Sequence, residues 1–177
     1  SNNADDKDII FRSDDGSGGV ETYFYLDGST GRTIFPDSKE LRFGTGSDLN
    51  LYHDGSNSYV VNNTGDLLFY NNTDDGDIKF YSDDGSGGTA EYFRLDGGVA
   101  YMIASKAIRA LDSVNLQLGA SADFTMQHNG SNTVLQNFTG DLQITQGADD
   151  KDIILSSDDG SGGTTAYITL DGSAGYT

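Results

Sequence analysis

An all-β fold of repeated short strands is what the amino-acid sequence predicts, and three observations carry that reading. The hexapeptide DDGSGG occurs at 14–19, 83–88 and 158–163. Each copy follows an apolar run opening with Asp-Ile (Asp8, Asp77, Asp152) and precedes a Leu-Asp-Gly at Leu26, Leu95 and Leu170. Between these marks, apolar residues recur at every second position, the period of a half-buried strand. The runs are bounded by Gly, Asp, Asn and Ser, the residues of tight reversals. The three leucines lie 69 and 75 residues apart, so the chain is an internal repeat. Repeats bury apolar surface by stacking neighbours rather than by closing one globule.

The elements follow in order. Ile9/Phe11, Ile78/Phe80 and Ile153/Leu155 form the first strand of each unit, and Phe24/Leu26, Phe93/Leu95 and Ile168/Leu170 the second. Leu41/Phe43 answers Leu116/Leu118, Leu49/Leu51 answers Phe124/Met126, and Leu67/Phe69 answers Leu142/Ile144. The turn Asp54-Gly55 corresponds to Asn129-Gly130, both dipeptides that favour positive φ. Units are therefore 1–70, 71–145 and a truncated third at 146–177, with six extra residues in the second near 98–108. Met102–Leu111 competes for helix, but its counterpart contains Pro36, which favours strand plus turn. The chain opens at Ser1 inside one repeat and stops inside another, so it reads as a segment of a longer protein.

Such thin strands give too few inward residues to seal a core from one layer of one chain. A repetitive β fibre meets the need, as a trimeric, intertwined β-sandwich or β-helix-like shaft whose closed symmetry protects strand edges. A monomeric β-solenoid is the alternative, although its coil period is usually shorter, about 20–30 residues.

Composition narrows function. There are 28 acidic against 10 basic residues and a net charge of −18, which opposes binding to nucleic acid or anionic lipid. With no cysteine, neither disulfides nor thiolate metal sites contribute. No apolar run approaches the ~20 residues of a membrane span, and no signal peptide is visible.

Candidate sites are few. The paired carboxylates Asp14/Asp15, Asp83/Asp84 and Asp158/Asp159 could offer oxygens to Ca²⁺, which takes six to eight. They lack EF-hand spacing and the nonapeptide of calcium β-rolls, so the turn reading comes first. His53 and His128 occupy equivalent positions. Symmetry copies of either could ring a metal on a fibre axis, but a half-exposed turn histidine is the simpler account. Tyr23, Tyr92 and Tyr167 stand in register and could stack on sugar rings, with strand or interchain packing as the plainer role. Nothing resembles an activated nucleophile, and a repeat speaks against a single active site, so no enzyme is expected. No resident cofactor is expected either, Ca²⁺ excepted. The sequons at Asn62, Asn71, Asn129 and Asn137 matter only in a secretory pathway.

These motifs carry a resemblance. The runs LRFGTGSDLNLYHDGSNSY (41–59) and TGDLLFYNNTDDGDIKFYSDDGSGGTAEYFRLDG (64–97) resemble repeats in tail-fibre and virion structural proteins of marine tailed phages, cyanophages among them. LDSVNLQLGASADFTMQHNGS (111–131) resembles the same element in diverged form, while 98–107 fits least. The resemblance implies a homotrimeric shaft on a virion, contacting other virion proteins and holding a tip towards a host-cell glycan or protein. It brings no catalytic residues and no membrane insertion. The alternatives are a secreted bacterial adhesin or surface filament stiffened by Ca²⁺, and a polysaccharide-degrading spike.

Overall fold

The computed structural model describes residues 1–175. The architecture is all-β: fourteen strands in five small antiparallel sheets, none closed on itself, with no helix among the described residues. β1 (Ile9–Asp14), β2 (Val20–Asp27) and β3 (Arg32–Ile34) make the first sheet in chain order. β4 (Leu41–Phe43), β5 (Leu49–His53) and β6 (Ser58–Asn62) make the second. β7 (Ile78–Asp83), β8 (Thr89–Asp96) and β9 (Tyr101–Ala104) repeat the first form, and β10 (Leu116–Leu118), β11 (Phe124–His128) and β12 (Thr133–Asn137) repeat the second. β13 (Ile153–Asp158) and β14 (Thr164–Leu170) begin the first form again. Packing divides the chain into two compact units, 1–80 with 94–103, and 81–93 with the residues from 104 onward.

The expected pairs share faces as the period-two pattern requires. Ile9 opposes Leu26, and Phe11 opposes Phe24 with ring centroids 4.3 Å apart, while Ile10, Tyr25 and Ile34 align on the other face. In the second sheet, Leu41, Leu51 and Val60 line up across three strands, with Phe43 opposite Leu49 beside them. In the fourth, Leu116, Met126 and Leu135 line up, with Leu118 opposite Phe124. The reverse faces carry Arg42 opposite Asn50, and Gln117, Thr125 and Gln136 in a row. The second and fourth sheets therefore each have one predominantly apolar face, although Val61 and the stacked Tyr52 and Tyr59 share the reverse face of the second with Asn50.

That face is not covered within the chain. Among the described residues no apolar side chain is buried, and the one buried residue is Thr125 at 7% exposure. The accessible surface is 14003 Å² for 18.8 kDa. A compact monomer of that mass exposes about 8,300 Å², and two separate half-size domains about 10,000 Å². The surplus is therefore about 4,000–6,000 Å² on either reckoning.

One expectation needs correction. Leu67–Phe69 and Leu142–Ile144 are not strands: no strand among the described residues pairs with them, and Leu67, Phe69, Leu142 and Ile144 are all exposed. A strand needs a partner for its backbone groups, and alternation of side chains alone does not supply one. The hydrogen bonds also narrow the place of the insertion expected near 98–108. Val114 N–H donates to Leu111 O and Ser113 N–H to His128 O, as Lys39 does to Pro36 and Ser38 to His53. The turns 36–39 and 111–114 are thus equivalent, and the six added residues are 105–110. Met102–Leu111 contains the end of β9 and no helix. Ser105 N–H donates to Tyr92 O, a bond Pro36 cannot make, which is why β3 stops at Ile34.

Candidate functional site

The three DDGSGG loops are nearly identical hydrogen-bonded turns. Asp15 Oδ1 accepts from Ser17 N–H (2.8 Å), Ser17 Oγ–H (2.8 Å) and Gly19 N–H (3.0 Å), while Asp15 N–H donates to Gly19 O. Asp84 and Asp159 repeat these bonds with Ser86/Gly88 and Ser161/Gly163. The preceding carboxylates of Asp14, Asp83 and Asp158 each accept from the N–H two residues on. Gly16 and Gly18 run at φ +80 and +91, a conformation that closes the loop and disfavours any side chain. Donors converging on one oxygen favour its charged form. The Ser17 amide, then the Ser17 hydroxyl and the Gly19 amide, hold Asp15 below the ordinary carboxylate value. For Asp84 and Asp159 the serine hydroxyl leads and the amides follow.

In each loop, then, one oxygen of the second aspartate already has three protein donors. Among the described residues no three His, Asp or Glu side chains converge as a metal-ligand group.

The tyrosines clamp these loops. Tyr23, Tyr92 and Tyr167 hydroxyls donate to the carbonyls of Asp14 (2.8 Å), Asp83 (2.8 Å) and Asp158 (3.1 Å). The register explains their reach. Phe11 pairs with Phe24 but Arg12 with Thr22, leaving Tyr23 as the extra residue of a β-bulge; Tyr167 sits in the same bulge between Ile168 and Ala166. Bulges bend a strand and redirect a side chain. Each ring remains exposed.

A second device ties the ends of each hairpin. Asp8, Asp77 and Asp152 accept from Gly28, Gly97 and Gly172 N–H, all at 3.0 Å. A Cβ on those glycines would stand 2.4, 2.4 and 2.3 Å from the carbonyl oxygens of Lys7, Gly76 and Lys151. The Asp of Asp-Ile and the Gly of Leu-Asp-Gly are therefore two halves of one contact. Nothing but their joint recurrence in the sequence signals it.

One loop departs from the repeat. An open cavity of about 420 Å³ is lined by Tyr23, Phe24, Phe35, Ser38, Lys39, Glu40 and Arg42. Lys39 pairs with Glu21 and stands 6.0 Å from the Tyr23 ring centre, and Arg42 Nε pairs with Glu40 at 2.8 Å. In the second unit the equivalents of Phe35, Lys39, Glu40 and Arg42 are Ala104, Val114, Asn115 and Gln117, so the charges are gone.

The histidines end strands β5 and β11. His53 Nδ1 lies 3.1 Å from Ser58 Oγ. His128 Nδ1 lies 3.0 Å from Asp112 Oδ1 and 3.2 Å from Gly130 N. No family model, curated protein or solved structure matches the chain.

Proposed function

We propose that this chain is a structural segment of a fibre, a tail-fibre shaft on a virion, whose copies fold together as a homotrimer and carry a tip towards a host surface. One observation carries the reading: an ordered all-β chain whose strands leave every apolar side chain at least partly exposed among the described residues. A surplus of about 4,000–6,000 Å² is on the scale of obligate interfaces, which run 2,000–5,000 Å² or more. The unpaired apolar runs Leu67–Phe69 and Leu142–Ile144 would find their neighbours in other copies. Rigidity would come from stacked apolar faces, and solubility from the net charge of −18. Other virion proteins would join its ends.

Glycan contact, where this segment makes any, belongs at Tyr23 rather than Tyr92 or Tyr167. There the exposed ring borders a cavity that also offers Lys39, Glu40 and Arg42 as hydrogen-bonding groups. No catalytic role and no resident cofactor form part of this reading. A Ca²⁺-stiffened bacterial surface filament is the rival. Light scattering on the isolated chain tests the proposal: a mass near three times 18.8 kDa is expected. A clean folded monomer would sink it. Chelation with EDTA separates the rival, which alone must lose thermal stability when Ca²⁺ is withdrawn.

A further inference from the structure

The turns that close β5–β6 and β11–β12 have one backbone and two chemistries. In the first, Asp54 Oδ1 accepts from Ser56 and Asn57 N–H, both at 2.8 Å, and Asp54 N–H donates to Asn57 O. In the second, Asn129 Oδ1 accepts from Ser131 N–H (3.1 Å) and Asn132 N–H (2.9 Å), and Asn129 N–H donates to Asn132 O. Asn129-Gly130 is the chain's single Asn-Gly dipeptide. An Asn followed by Gly is the sequence least hindered against attack of the backbone nitrogen on the side-chain amide. Here that nitrogen faces a base in one tautomer: with the ring proton on Nε2, Gly130 N–H donates to His128 Nδ1, 3.2 Å away.

We propose that Asn129 is a self-modification site, at which the fold promotes its own deamidation through His128. Gly130 N forms a bond to Asn129 Cγ while its proton passes to His128 Nδ1. The leaving nitrogen then takes that proton back from His128, the Cγ–Nδ2 bond breaks and ammonia departs, giving a cyclic imide. Water opens the imide at either carbonyl, leaving aspartate or isoaspartate at position 129. The balance is one amide plus one water to one carboxylic acid plus one ammonia, with no redox partner.

Each neighbour has a part. The neutral imidazole accepts at Nδ1, and once protonated it donates to Asp112 Oδ1, 3.0 Å away. The amides of Ser131 and Asn132 point at the carboxamide oxygen, where charge gathers as the nitrogen attacks. Among the described residues no hydrogen bond holds the leaving nitrogen. Tyr59, whose hydroxyl holds the second oxygen of Asp54 at 2.8 Å, is replaced by Val134. The first unit shows that a carboxylate fits the same turn, so the aspartate product keeps the reversal. The isoaspartate product adds one backbone carbon and loses the Asn129–Asn132 closure. This rests on the turn alone and does not depend on how copies associate.

The test follows intact mass and peptide maps of the whole chain at near-neutral pH and physiological temperature. A synthetic peptide of residues 126–133 and the urea-unfolded chain are the references. The folded chain is expected to gain the mass difference at Asn129 faster than either reference. His128→Gln should slow it about tenfold, less than the roughly hundredfold or more of a well-positioned catalytic base, because water and buffer compete. Asp112→Asn should slow it less, and Asn129→Asp should show no mass gain while keeping the melting point. Modification no faster in the folded chain than in the peptide would overturn the proposal. So would a rate unchanged by His128→Gln in a variant with the native circular dichroism spectrum.

Discussion

The DDGSGG loops and the apolar sheet faces they connect are finished to different degrees. In the loop at 83–88, carboxylates, serine hydroxyl, amides and the Tyr92 hydroxyl satisfy one another within about ten residues. On the sheet face of Leu41, Leu51 and Val60, and on that of Leu116, Met126 and Leu135, nothing in the chain completes the packing. The difference separates two tasks. Polar turns set the path of the backbone locally, whereas the apolar faces stay at least partly exposed within the chain; in the function proposed above, other copies would complete their burial, the main favourable term in folding. On that proposal, a chain that holds its turns by itself and its core between copies would couple folding to association.

That contrast can be broken from the sheet side first. Leu51→Asp places a charge in the middle of a three-residue apolar row, and burial of an unpaired carboxylate is strongly unfavourable. Complete loss of association is expected in sedimentation, with loss of the cooperative melt. The reverse-face substitution Asn50→Asp should leave both intact.

Acid attacks the loops instead. Asp15, Asp84 and Asp159 are held below the ordinary value chiefly by their loop amides and serine hydroxyls, as Asp27 and Asp171 are by Ser29 and Ser173. These carboxylates bind protons less tightly when folded than when unfolded. Their stabilisation is therefore present above the unfolded Asp value near 3.9 and lost as pH falls through the lower folded values. Melting temperature should stay level down to about pH 4 and drop below it. Asp84→Asn should reduce the size of that acid drop.

Smaller effects sharpen the local half. Gly97→Ala drives a Cβ to within 2.4 Å of the Gly76 carbonyl oxygen, a backbone collision with no flexible partner to yield. It should cost about 3 kcal/mol in chemical denaturation. Tyr92→Phe removes one hydroxyl bond to the Asp83 carbonyl, and a loss of about 0.5–1.5 kcal/mol is expected. The bulge should persist, since register rather than the hydroxyl creates it.

Much of this design is legible in the residues. Apolar residues two apart gave the strands around Ile9/Phe11 and Leu49/Leu51, because side-chain period follows directly from backbone pleat. The turn chemistry of DDGSGG is equally local. What escaped depends on partners. Leu67/Phe69 has the alternation of a strand but pairs with no strand among the described residues. The Tyr23 bulge exists only as a mismatch between two strands, and no single segment displays it. The Asp8–Gly28 tie spans twenty residues, so its two halves look like separate motifs until they are brought together. The charged cavity beside Tyr23 was hidden for another reason: Lys39, Glu40 and Arg42 lie on a turn and the start of β4, and only folding sets them around one ring.

The coupling of folding to association is the central claim, and melting followed at several chain concentrations tests it most directly. With sedimentation run on the same samples, a three-chain species is expected whose melting temperature rises as concentration rises. A cooperative melt at a fixed temperature, from a species of 18.8 kDa, would contradict the account.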